Sequence, residues 1–113
     1  TVSSAGNDCF DVSGGKYLVA VAELKGCGDK GVSVGEKSYF KGDEILIENA
    51  LIGISAKDSS RAIVKNLNTR EVPFCGEAKK KKQEFDGGEL FVEETNCNGK
   101  YSIDNESIIQ TGE

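Results

Sequence analysis

The sequence predicts an all-β domain, a two-sheet antiparallel β-sandwich or small barrel held by two disulfides. Three observations predict it. Valine and isoleucine greatly outnumber leucine and methionine is absent, which suits a pleated surface better than a helix. Short apolar clusters recur along the whole chain, separated by Gly, Asn, Asp and Ser signals. Four widely spaced cysteines occur in a chain with no histidine.

The elements follow in order. Lys16 to Leu24 puts Tyr17, Val19 and Val21 on one face and Leu18, Ala20, Ala22 and Leu24 on the other, so it reads as a central strand apolar on both sides. Glu44 to Glu48, Leu51 to Ala56, Arg61 to Lys65, Glu71 to Phe74, Glu89 to Thr95, Lys100 to Asp104 and Ser107 to Gln110 are the further strand candidates. Between them stand turn signals at Gly14-Gly15, Gly26 to Gly31, Lys41-Gly42-Asp43, Lys57 to Ser60, Gly87-Gly88 and Asn98-Gly99. Asn98-Gly99 between apolar alternations predicts a type I′ hairpin, because Asn and Gly tolerate the two positive φ angles that turn needs. Glu77 to Glu84 has helix formers in a row but no apolar stripe, so any helical turn there is superficial. No internal repeat and no second composition zone stand out. Residues 1–113 therefore read as one domain, with a polar, flexible N-terminal segment at about 1–8.

Cys9, Cys27, Cys75 and Cys97 form no C-x-x-C pair, and Cys₄ zinc sites draw on closely spaced pairs, so disulfides fit better than a metal. Three connectivities are open. If Asp86-Gly87-Gly88 turns a hairpin, Cys75 and Cys97 lie at similar distances from that turn, which favours Cys75–Cys97 and, by elimination, Cys9–Cys27. Each bridge closes a loop of about twenty residues, worth roughly 3 kcal/mol in the chain-entropy view. Such bridges point to an oxidising compartment, hence an extracellular or cell-surface location.

A formal charge of -5 repels polyanions and argues against nucleic acid as a partner. Lys79, Lys80, Lys81 and Lys82 reverse that sign locally. They read as a solvated loop or edge, with a contact to an anionic surface as the sharper alternative. No run approaches the ~18 apolar residues of a membrane span. Thr1 follows neither an initiator Met nor a signal-peptide pattern, which predicts a processed or excised chain.

The residues suggest little catalysis. Without histidine, the Ser-His and Cys-His nucleophile pairs cannot be built. An N-terminal Thr1 nucleophile belongs with helical layers that this sequence lacks. Asp43-Glu44 and Glu93-Glu94 are carboxylate pairs, but neighbours on a strand point to opposite faces and do not converge. Glu94, Asn96, Asn98, Gly99 and Ser102 resemble a calcium loop, yet the first ligand is not Asp and Asn105 stands where a bidentate Glu belongs. No catalytic, metal or cofactor site is therefore predicted. Asn105-Glu106-Ser107 matches the N-glycosylation pattern and marks Asn105 for a solvent-facing position.

Ser38-Tyr39-Phe40-Lys41-Gly42-Asp43-Glu44-Ile45-Leu46-Ile47, followed by Leu51 to Ala56 and Ala62 to Val64, resembles the strand-turn-strand pattern of β-sandwich domains in archaeal surface-layer and filament proteins. The likeness covers about a quarter of the chain and carries no catalytic residue. It implies a structural role by self-association or surface display. Two classes of function follow: an extracellular structural or adhesive module, as a surface filament or lattice subunit, or a free secreted effector, toxin or inhibitor that binds a target through its loops. For the first class, Ile108 and Ile109 are the strand residues placed to meet another copy or another surface protein, the alternative being that they complete the domain's own core.

Overall fold

The computed structural model describes residues 2–3 and 6–112. Its strands are β1 (Val2–Ser3), β2 (Phe10–Val12), β3 (Gly15–Lys25), β4 (Lys30–Val34), β5 (Ser38–Glu48), β6 (Ile52–Lys57), β7 (Arg61–Arg70), β8 (Phe74–Lys79), β9 (Glu89–Asn96), β10 (Lys100–Ile103) and β11 (Ile108–Thr111). Odd-numbered strands form a six-stranded sheet in the order β1-β3-β5-β7-β9-β11, and even-numbered strands a five-stranded sheet in the order β10-β8-β6-β4-β2. Every pairing is parallel.

This corrects the expected antiparallel β-sandwich or barrel. Parallel neighbours need a crossover, and here the crossover for each sheet is a strand of the other sheet. The chain winds as a β-solenoid whose successive coils are β2–β3, β4–β5, β6–β7, β8–β9 and β10–β11. No hairpin forms at Asn98-Gly99 or at Asp86 to Gly88, because the strands flanking each lie in different sheets. Glu71 to Phe74 is a corner leading into β8, whose own residues reach into the stretch read as helix-forming.

A repeat is also present. Phe10, Val32, Ile54 and Gly76 are successive register partners 22 residues apart, as are Val12, Val34, Ala56 and Ala78. Their side chains form columns along the interior, where Val32, Val34, Ile54, Ala56 and Ala78 are all buried. In the larger sheet Tyr17, Phe40, Ala62, Leu90 and Ile109 continue one column. Phe10 and Phe40 tie the sheets together with ring centroids 5.9 Å apart.

The long strands are not flat. Register skips Ala20, Asp43, Lys65 and Glu93, and at each of the four places two successive side chains turn away from the core. Lys41-Gly42-Asp43 is thus a bend inside the continuous β5, not a turn between strands. Leu18, on the outer face, and Val21, turned outward by the bend, are each 66% exposed, so β3 buries one face only and is not the doubly buried central strand expected.

Corners repeat too. Gly14, Lys37 and Ser59 stack at one corner and Gly26, Asn49 and Glu71 at another, and all six have positive φ. Stacked corners must share a backbone shape if the strands are to stay in register, whatever the side chain.

Candidate functional site

Both disulfides are clasps on single coils. Cys9 precedes β2 and Cys27 follows β3, and they are joined; Cys75 on β8 is joined to Cys97 just after β9. The pairing matches the favoured one, but its basis differs, because each bridge links the start and end of one turn of the solenoid rather than two arms of a hairpin. Bridges of this kind persist in oxidising surroundings.

The lysine run belongs to a loop that lengthens one coil. Arg61 and Glu89 are register partners 28 residues apart, against 22 for Tyr39 and Arg61. The excess is held mainly through its backbone. Buried Asp58 accepts from the Lys81 and Lys82 amides at 2.7 and 3.0 Å, and Asp104 accepts from the Lys80 amide at 2.7 Å. Lys79 pairs with Glu77, Lys80 with Glu106 and Lys82 with Glu36.

Beside this loop the outer face of the smaller sheet carries a polar column: Asp11, Ser33, Ser55 and Glu77 are successive register partners. Ser55 Oγ donates to Glu77 Oε2 at 2.6 Å, whereas buried Ser33 Oγ has no partner among the described residues. Lys30 and Lys57 flank the column. Burial draws the Lys30 pKa down, but the Asp29 hydrogen bond and the charges of Asp8, Asp29 and Glu77 outweigh it, so the net shift is upward. Burial lowers the Lys57 pKa, and the charges of Lys30 and Lys81 add to that. These groups were not singled out in the sequence. The signal that would have found them is the 22-residue spacing.

The other sequence candidates stay apart. Asp43-Glu44 and Glu93-Glu94 both fall on strand bends, so all four carboxylates face outward and the alternation argument does not apply to them. They still do not converge, because Asn66 lies between Glu44 and Glu94 in the register. Asn96 instead donates from Nδ2 to Asn68 Oδ1 at 2.8 Å, while Ser102 lies on β10 in the other sheet. Among the described residues no three His, Cys, Asp or Glu side chains group to hold a metal ion, and no helix is long and apolar enough to cross a membrane. Asn105 is exposed in the turn between β10 and β11. Thr1 lies outside the described residues, as do Ser4 and Ala5. Elsewhere in the N-terminal segment Val2–Ser3 forms a strand, and Asp8 Oδ1 accepts from the Lys30 amide.

The two axial ends remain. At one, β1 covers only Leu24 and Lys25 of β3, so among the described residues the outer edge of β3 has no partner from Gly15 to Glu23. Beneath it opens an apolar groove of about 170 Å³ lined by Val2, Phe10, Val19, Ala22, Leu24 and Phe40 among others. At the other end, β11 covers β9 from Glu89 to Val92 and stops short of Glu93 to Asn96. Ile109 packs on the core there, while Ile103 and Ile108 are 52% and 45% exposed.

No family model, curated protein or solved structure matches the chain.

Proposed function

We propose that this chain is an extracellular structural or adhesive module that self-associates, as a subunit of a surface filament or lattice. One observation carries the reading: among the described residues both axial ends present parallel strand edges whose backbone N–H and C=O groups lack a strand partner, and one end adds an open apolar groove. Such edges pair readily with another chain. The two disulfides are compatible with an oxidising exterior.

The alternative, a free effector acting through a loop, is favoured by the segment around Lys80 to Asp86, which lengthens its coil from 22 to 28 residues. Sedimentation across a concentration series, with imaging of the native material, separates the two. Concentration-dependent polymers support the module. A persistent monomer that binds a target through Lys80 to Asp86 favours the effector.

A further inference from the structure

We infer that the two axial ends are complementary, and that copies of this chain stack head to tail with β10 and β11 of one copy and β1 of the next completing a single shared coil. The inference rests on the self-association reading and gives it a geometry.

Each end carries part of a coil, and the parts differ. At the far end β10 supplies the smaller-sheet side and β11 the first half of the larger-sheet side, with Gly112 reaching as far as Glu93. At the near end β1 sits beside Leu24 and Lys25, which the register, continued past Asn96, puts in line with Cys97 and Asn98. Brought together, the two share one turn without overlap.

Continuing the register across the junction tests the chemistry. Tyr101 of one copy falls over Phe10 of the next, Ile103 over Val12, Ile109 over Tyr17 and Thr111 over Val19, because each continues an existing interior column. The outward neighbours become Ser102 with Asp11, Ile108 with Lys16 and Gln110 with Leu18, so no like charges oppose one another. The junction covers Ile103 and Ile108, two of the six large apolar side chains the fold leaves exposed, and closes the 170 Å³ groove.

The repeat along the stack follows from the sheet, whose six strands span five gaps of about 4.8 Å, roughly 24 Å.

The test uses the oxidised full chain and three variants. The wild type is expected to form filaments with a subunit repeat of about 24 Å, five strand spacings. Ile103→Lys spoils one end and Val19→Lys the other, so each alone should be monomeric with a cooperative melt. Mixed, they should give a dimer and nothing larger, since each keeps one good end. Leu51→Lys, at the exposed corner between β5 and β6 in the middle of the stack, should still polymerise. If Val19→Lys fails to fold, Val2→Lys replaces it.

Filaments that survive both end variants, or that only Leu51→Lys abolishes, overturn the head-to-tail geometry and leave self-association standing. A wild type that is monomeric at every concentration, with its ends left to a flanking segment or another protein, overturns both.

Discussion

Among the described residues, five other than glycine hold positive φ: Lys37, Asn49, Asp58, Ser59 and Glu71. An L-residue in that region costs roughly 1–2 kcal/mol unless its surroundings fix it. Here the neighbouring coils fix it. Gly14 and Gly26 were legible as turns because glycine announces them; Lys37 and Glu71 occupy the equivalent corners with no such mark, so single-sequence reading missed them. Asp104 shows the same reliance on neighbours. A hydrogen bond with Ser107 first, then the amides of Lys80 and Glu106 and the charge of Lys80, hold its carboxyl below the usual carboxylate range. A pKa depressed on folding stabilises above the unfolded value of about 3.9 and is lost as pH falls through the folded one. Acidifying from about pH 5 to about pH 2 should therefore speed amide exchange at Lys80 and Glu106. Asp104→Asn should show fast exchange at both pH values, and equal exchange in the two proteins throughout would count against this role.

At the scale of elements, strand positions were readable and strand partners were not. Arg61, Glu89 and Lys100 were correctly placed as strand starts, because β-branched alternation marks them. Alternation gives no direction, however, and the glycine-bearing corners of a solenoid look like hairpin turns. Here Asn98-Gly99 and Gly87-Gly88 turn the chain into the other sheet instead. The repeat was hidden because its columns share burial rather than identity or size: Val12, Val34, Ala56 and Ala78 have only small apolar character in common, and the neighbouring column runs Phe10, Val32, Ile54, Gly76. Of the functional surfaces, the lysine run was visible and its anchor was not. Asp58 is buried and holds the Lys81 and Lys82 amides, so the loop hangs on one carboxylate more than on four ammonium groups. Replacing Lys79 to Lys82 by glutamine should shift the melting temperature by no more than a few degrees. Asp58→Ala should cost about 1–3 kcal/mol through the unsatisfied amides it leaves. Chemical denaturation of both variants checks the contrast, and the reverse ranking would make the lysine side chains structural.

For the whole molecule, the solenoid replaces long-range topology with a stack of near neighbours. Each coil touches chiefly the coils above and below, so stability is expected to accumulate coil by coil, with the ends as the weakest members. That is the same feature that leaves the ends available for another copy. The polar column of Asp11, Ser33, Ser55 and Glu77 runs along the stack rather than around a pocket, and with Ser33, Ser55 and Glu77 buried it ties neighbouring coils to one another rather than facing a partner.

The clasps on the first and fourth coils have a mechanical consequence. A solenoid held by its two termini and pulled apart pays out chain one turn at a time, but a turn whose beginning and end are bonded cannot be paid out. The bridges withhold 18 and 22 residues. At about 3.4 Å per extended residue, reduction should lengthen the fully stretched protein by roughly 140 Å. Force spectroscopy with and without reductant measures that difference, and equal contour lengths would mean that the bridges do not bear load in this way. Under tension from a surface, an oxidised chain would then behave as a short, stiff tether and a reduced one as a longer, more yielding one.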